Sequence, residues 1–127
     1  MKILIIEDQP TEAKLAHLVL DAAGHSVNSV EAAEQAFEAI KADRPQIILM
    51  DMVLPGMDGL ALVQILKADP LTRDIHVVAT TSYPERFSRA EALRAGCDAY
   101  LVKPVSTRTL PKTLSDVVEG GAENDPR

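Results

Sequence analysis

The sequence predicts an α/β fold, a doubly wound sheet of five parallel strands, from three observations. Five short apolar segments alternate with five longer amphipathic segments. The first, third and fourth apolar segments are nearly continuous runs, which is typical of parallel strands buried on both faces. A glycine or a proline follows each amphipathic segment, as expected where a helix stops. Because crossovers between parallel strands are right-handed, the helices should cover both faces of the sheet.

The elements follow one another without a gap long enough for a second domain. The predicted strands are residues 2–6, 25–30, 46–50, 76–81 and 99–102. The predicted helices are about residues 10–23, 32–41, 59–68, 84–95 and 107–118. Pro111 interrupts the start of the fifth helix, so its regular part should begin only near Thr109 or Leu110.

Chemically active side chains stand at the carboxyl ends of four of these strands. Glu7 and Asp8 follow the first strand, Asp51 follows the third, Thr81 ends the fourth and Lys103 follows the fifth. In open parallel sheets the functional crevice lies beyond the carboxyl ends of the strands. Residues that are distant in the sequence should therefore meet at one edge of the domain.

The three acids of this edge predict a magnesium site. Close carboxylates repel one another, and a hard divalent cation relieves that repulsion. Mg²⁺ prefers a few carboxylates together with water and phosphate oxygens. The alternative interpretation is that Glu7, Asp8 and Asp51 merely cap the helices that follow them. That explanation suits any one of them better than all three together.

Asp51 and Lys103 suit phosphoryl transfer, which needs positioning and charge neutralisation more than covalent chemistry from the protein. As a nucleophile, Asp51 would form an aspartyl-phosphate. Lys103 would meet a phosphoryl oxygen as a compact charge, and a cis bond to the following Pro104 would aim its side chain. A hydroxyl group at the end of the fourth strand could donate to another oxygen. Spacing alone leaves the candidates Thr80, Thr81 and Ser82 open.

With these residues in view, the chain resembles the receiver domain of two-component response regulators over about residues 2–118. The matching features are the pair Glu7-Asp8, Asp51 with the loop 52–59, the strand end at Thr81, the segment 96–100 and Lys103-Pro104. The resemblance implies a flavodoxin-like receiver fold with strand order 2-1-3-4-5. It implies a receiver domain over residues 1–119 and a short polar tail, 120–127, that we expect to be disordered.

The resemblance also implies a role for each site residue. Asp51 is the expected phosphoacceptor, assisted by Lys103 and Thr81. Asp8 and Asp51 would bind Mg²⁺ directly, Glu7 through a water molecule and Val53 through its backbone carbonyl. Thr81 is favoured over Thr80, and with Tyr100 it would form the switch: the tyrosine packs inward when the threonine moves toward the phosphoryl group.

The chain departs from the commonest receiver pattern at several positions. Glu7 stands where an aspartate is more frequent, and Thr80 stands where an aliphatic residue is usual. Val53 and Tyr83 occupy the two positions that modulate loss of the phosphoryl group in this family. Neither side chain orients a water molecule well, so we expect the phosphorylated form to be long-lived.

The expected function is a phosphorylation-dependent signalling switch in a two-component phosphorelay. Its partners would be a histidine kinase or histidine phosphotransfer protein and a downstream protein target, which binds through the face made by helix 4, strand 5 and helix 5. Such a protein assists its own phosphorylation and dephosphorylation without being an ordinary enzyme. The first strand begins beside Met1 and the tail follows helix 5, which favours a stand-alone receiver. The alternatives are a fragment of a larger multidomain regulator and a phosphorylation-independent adaptor.

Composition and pattern oppose several other classes. The net charge of −6 argues against a nucleic-acid-binding face. No apolar stretch approaches the roughly 20 residues of a membrane span, and the single cysteine, Cys97, excludes an intrachain disulfide, so we expect a cytoplasmic protein. A haloacid-dehalogenase-type hydrolase would need an aspartate where Val53 stands. A flavin-binding domain is disfavoured by the acidic crevice and by the scarcity of aromatic residues, 3% of the chain.

Overall fold

Five strands and five helices alternate along residues 1–120, the part of the chain that this computed structural model describes. In chain order they are β1 (Lys2–Ile6), α1 (Pro10–Ala22), β2 (Ser26–Val30), α2 (Ala33–Ala42), β3 (Ile47–Asp51), α3 (Gly59–Ala68), β4 (His76–Thr81), α4 (Arg89–Ala95), β5 (Ala99–Val102) and α5 (Leu110–Gly120). All neighbouring strands pair in parallel, in the order β2-β1-β3-β4-β5. The predicted doubly wound sheet and its strand order are confirmed.

Alternate side chains of the sheet enter two apolar cores, one on each face. Ile3, Ile5, Ile47, Leu49 and Val78 pack against Leu20 of α1 and against Leu110, Leu114 and Val117 of α5. On the other face, Leu4, Ile6, Ile48, Met50, Val77 and Ala79 pack against residues of α2, α3 and α4. Every residue of β3 is buried, as its continuous apolar run predicted. The central strands are thus held rigidly from both sides.

Most predicted boundaries lie within two residues of the observed ones, and those of β1, α3, β4 and β5 coincide with them. β3 includes Asp51, so this carboxylate is the last residue of a buried strand. α5 begins at Leu110, which places Pro111 in the first turn, where its missing N–H leaves no intrahelical bond unmade. The helix continues to Gly120. The rest of the predicted tail, 121–127, lies outside the described residues.

The prediction for α4 was wrong at its start, because the helix begins at Arg89 and not near Pro84. Ser88 has an extended backbone conformation and accepts a hydrogen bond from the Glu91 N–H at 3.1 Å. The Glu91 carboxylate in turn accepts from the Ser88 N–H at 3.1 Å. This reciprocal capping box fixes the first turn at Ser88. The segment 84–87 forms a separate turn, in which the Phe87 N–H donates to the Tyr83 carbonyl.

Within residues 1–120, no helix combines the length and the apolar character that crossing a membrane requires. The Lys103–Pro104 peptide bond is cis.

Candidate functional site

The carboxylates of Glu7, Asp8 and Asp51 meet at the carboxyl edge of the sheet. One ligand oxygen from each lies within 4.8 Å of the others. Glu7 directly follows β1, and its N–H donates to the Val30 carbonyl of the neighbouring strand at 3.0 Å. Asp51 ends β3, the strand beside β1. The parallel sheet therefore brings together acids that are more than forty residues apart in the sequence.

This cluster has the chemistry of a hard-cation site. Its donors are carboxylate oxygens only, and Glu7 and Asp51 are almost completely buried. Burial, together with the charge of Asp51, raises the pKa of Glu7 to about 7, although the contact with Lys103 favours its ionised form. A divalent cation would lower the cost of holding these charges together, and Mg²⁺ prefers such oxygen ligands. The donor set therefore fits the predicted metal.

Lys103 lies over the acids and donates to three carboxylates. Its Nζ is 2.7 Å from Glu7 Oε1, 2.9 Å from Glu12 Oε2 and 3.1 Å from Asp51 Oδ2. Burial alone would lower the pKa of Lys103, but the hydrogen bonds to Glu7 and Glu12 and the charge of Asp51 raise it well above its usual value. The side chain is therefore a fixed positive charge beside Asp51.

The two oxygens of Asp51 have different partners. Oδ1 accepts a hydrogen bond from the Val53 N–H at 3.1 Å, and Oδ2 accepts from Lys103. The backbone beyond Asp51 stays tied to the sheet, because the Met52 N–H donates to the Thr80 carbonyl at 2.9 Å. The carboxylate is thus held in one orientation by groups on both sides.

The hydroxyl groups at the end of β4 have distinct environments. Thr81 is completely buried, and its Oγ1 accepts from the Tyr83 N–H at 2.9 Å. The Thr80 hydroxyl donates to the Met50 carbonyl at 3.4 Å, which turns it toward the sheet. Ser82 borders a pocket of about 260 Å³ over Asp51, which is lined by Asp8, Gln9, Glu12, Asp51, Val53, Ser82, Tyr83 and Lys103. Val53 and Tyr83 therefore flank the carboxylate, as the resemblance implied.

Tyr100 packs against the turn that precedes α4. Its side chain is buried, and its hydroxyl donates to the Phe87 carbonyl. The guanidinium of Arg89 lies 5.4 Å from the centroid of the ring, within the range of a cation–π contact. Phe87 itself is only 7% exposed, so it is a core aromatic. β5 is thereby joined to the turn that precedes α4.

Sequence reasoning missed Glu12, which stands in the first turn of α1 and contacts Lys103. An acid in the first turn of a helix is usually explained by the helix dipole. Nothing in the spacing shows that this carboxylate reaches a lysine 91 residues further along the chain. The only usable signal is its position, four residues after Asp8 and on the same edge of the sheet.

Comparison with known proteins identifies one family. The sequence model of the response regulator receiver domain matches residues 3–115. Protein PilH of Pseudomonas aeruginosa is 33% identical over 119 residues, which cover 94% of this chain and 98% of PilH. The phosphate regulon transcriptional regulatory protein PhoB of the same organism is 33% identical over 123 residues, 97% of this chain and 54% of PhoB. The chain thus spans about half the length of its PhoB relative.

Solved structures agree with this result. The signal receiver domain of a signal transduction histidine kinase from Syntrophus aciditrophicus has a TM-score of 0.83 and 30% identity, covering 99% of this chain and 96% of that one. The chemotaxis response regulator CheY4 of Vibrio cholerae has a TM-score of 0.82 and 25% identity, covering 91% and 97%. On its sequence, its strand order and these likenesses, the chain belongs to the family of response regulator receiver domains.

Proposed function

We propose that this chain is a phosphorylation-dependent switch that accepts a phosphoryl group on Asp51. The observation that supports the proposal most is the placement of Asp51 beside both the Lys103 ammonium and the carboxylates of Glu7 and Asp8. Membership of the receiver family makes phosphorylation-dependent signalling the expected activity. A histidine kinase or a histidine phosphotransfer protein would supply the phosphoryl group.

In the proposed reaction, a carboxylate oxygen of Asp51 attacks the phosphorus atom in line with the bond to the donor nitrogen. The new O–P bond forms an acyl phosphate, and the P–N bond breaks with its electron pair returning to the donor imidazole. Lys103 binds a phosphoryl oxygen, and the Thr81 hydroxyl donates to another once it turns from the Tyr83 N–H. Asp8 and Asp51, with the Val53 carbonyl and Glu7 through water, would hold Mg²⁺. That ion would neutralise charge on the phosphoryl oxygens.

The signal would leave the site through β4 and β5. The phosphoryl group adds about 1.5–2 negative charges beside buried strand ends. Movement of Thr81 would shift the turn 84–87, whose Phe87 carbonyl accepts from Tyr100. The surface of α4, β5 and α5 would then change its affinity for a protein target.

The test is intact-mass analysis after incubation with acetyl phosphate and Mg²⁺. We expect a single Mg²⁺-dependent phosphoryl adduct on the wild type and on Asp74→Asn, an exposed aspartate that precedes β4, at the opposite end of that strand from Thr81. Asp51→Asn should give none, since an amide oxygen is not a comparable nucleophile. The adduct should be cleaved by hydroxylamine, as an acyl phosphate is. An equal adduct on Asp51→Asn would reject the acceptor assignment.

Target binding by Asp51→Asn at undiminished affinity would favour the phosphorylation-independent adaptor.

A further inference from the structure

The ammonium group of Lys103 has no donor left for a phosphoryl group. A lysine ammonium has three N–H donors, and here Glu7, Glu12 and Asp51 lie 2.7, 2.9 and 3.1 Å from Nζ. A phosphoryl oxygen can therefore bind Lys103 only in place of one of these three contacts.

Two of the three carboxylates are poorly placed to leave. The side chains of Glu7 and Asp51 are each only 8% exposed. Each is also held by a backbone N–H: that of Gln9 donates to Glu7 Oε2 at 3.2 Å, and that of Val53 donates to Asp51 Oδ1 at 3.1 Å. Separating Glu7 from the lysine would leave a charge buried without its partner, which is costly. Asp51 is the group that is phosphorylated, so its contact with Lys103 passes to the new phosphoryl group, whose negative charge then shares the ammonium with Glu12.

Glu12 is the carboxylate that can be released. Its side chain is 45% exposed, so water can solvate the charge after it turns away from Lys103. It stands on the first turn of α1 and borders the pocket over Asp51. It also borders a second cavity of about 140 Å³, lined largely by apolar side chains, that lies between α1 and the start of α5. Glu12 is therefore at the margin of the acceptor site and not inside the metal cluster.

We propose that Glu12 is a positioning residue that competes with the phosphoryl group for the ammonium of Lys103. This inference rests on the proposed function of Asp51. Two negative groups beside one ammonium repel each other, so phosphorylation drives the exposed Glu12 carboxylate toward solvent, and loss of the phosphoryl group lets it return. Glu12 thereby sets how readily the site is phosphorylated, without binding the metal or reacting itself.

Beryllofluoride, a phosphoryl mimic that needs no donor, separates binding from the transfer reaction. Its affinity in the presence of Mg²⁺ can be measured by calorimetry for the wild type and for Glu12→Gln. We expect Glu12→Gln to bind about two- to fivefold more tightly, the range that corresponds to loss of a partly exposed ion pair. Unchanged or weaker binding by Glu12→Gln would overturn the proposal.

Two further variants separate the contact from the charge. Glu12→Asp keeps the charge, but its side chain is one methylene too short to hold Lys103 in the same way, so it should also bind more tightly than the wild type. Asp21→Asn removes the same charge from the last turn of α1, where it is exposed, and should behave as the wild type. If Glu12→Asp matched the wild type while Glu12→Gln bound more tightly, charge alone would be the cause and the proposal would fail.

Titration with Mg²⁺ alone completes the test. Glu12→Gln should keep the Mg²⁺ affinity of the wild type, because the acid cluster is formed by Glu7, Asp8 and Asp51. A large loss of Mg²⁺ affinity would make Glu12 a metal ligand and overturn its assigned role. A wild type that binds no beryllofluoride would reject the proposed function itself, whereas binding that Glu12→Gln leaves unchanged rejects only the role of Glu12.

Discussion

A single ammonium group, that of Lys103, joins side chains from three elements: Glu7 after β1, Glu12 on α1 and Asp51 on β3. Removing such a charge from water costs free energy, and the three carboxylates offset that cost only in combination. The same ammonium offsets the repulsion between carboxylates that lie within 4.8 Å of one another. At the scale of single residues, the site is therefore a balance of charges more than a set of isolated catalytic groups.

The side chains that flank Asp51 lead to a prediction about the lifetime of the phosphorylated form. Val53 and Tyr83 border the pocket over the carboxylate, and neither can orient a water molecule for attack on phosphorus. The double variant Val53→Asn, Tyr83→Glu introduces an amide and a carboxylate there. We expect its phosphoryl group to be lost about tenfold faster, a modest part of what a positioned polar group can contribute.

The decay can be followed by intact mass after the donor has been removed. Val53→Leu, Tyr83→Phe is the matched control, since it leaves the flanking positions without a new polar group near phosphorus, and it should decay as slowly as the wild type. Equal decay rates in the wild type and the polar double variant would refute the explanation.

The residues of the site were predictable to different degrees. Asp51 and Lys103 stand out because each ends an apolar run at the functional edge of a parallel sheet. The choice of Thr81 over its neighbours came from the family resemblance, and its burial and contact with the Tyr83 N–H were not visible in the sequence. Glu12 was missed because its carboxylate meets Lys103 only in the folded chain.

Among the elements, the connection from β3 to α3 positions the acceptor most directly. Asp58 caps α3 by accepting from the Ala61 N–H at 2.8 Å. The Gly59 N–H donates to the Met52 carbonyl at 2.9 Å, which closes the loop onto the strand end. A Cβ at Gly59 would lie 2.8 Å from Met52 Cα and 3.1 Å from the Asp51 carbonyl oxygen. The glycine is needed here because two stretches of backbone approach closely.

Gly59→Ala should therefore lower the free energy of unfolding by about 1–3 kcal/mol, the usual cost of forcing extra atoms into a packed site. Urea denaturation measures this directly, and phosphorylation by acetyl phosphate should slow because the Asp51 backbone must shift. Gly120→Ala is the matched control: among residues 1–120, nothing outside its own helix and its chain neighbours lies within 4 Å of its added Cβ, and it should be neutral or slightly stabilising. Equal stability of Gly59→Ala and the wild type would show that the loop accommodates the methyl group.

The fold was predictable element by element because the apolar periodicity and the turn residues agree along the chain. α4 shows where that agreement ends. Pro84 and the polar residues after it are compatible with a helix start, yet the capping box of Ser88 and Glu91 starts the helix later. Tyr83, which would be the N-cap of a helix starting at Pro84, is not a residue that caps helices, so the earlier start has no comparable support.

The whole molecule has a net charge of −6, and three of its acids, Asp8, Glu12 and Asp51, line one pocket, with the carboxylate of Glu7 clustered beside those of Asp8 and Asp51. A ligand that binds the folded state alone stabilises it. We expect Mg²⁺ to raise the free energy of unfolding by about 2.7 kcal/mol when its concentration is roughly 100 times its dissociation constant. Thermal unfolding with and without Mg²⁺ measures the shift.

Asp8→Asn should lose most of this Mg²⁺-dependent shift, while its own stability without metal should rise because one repelling charge is gone. Asp74→Asn, exposed and outside the cluster, should keep the shift. A shift of the same size in Asp8→Asn would mean that Mg²⁺ acts elsewhere on the protein.

The contact between Lys103 and Glu7 spans 96 residues of the sequence. A cut in the connection between α2 and β3 would leave Glu7, Asp8 and Glu12 on one piece, and Asp51 and Lys103 on the other. Neither piece would hold a complete acceptor site. Phosphorylation of the severed chain would then show that the two fragments had associated. This receiver is therefore a suitable scaffold for a fragment-complementation sensor.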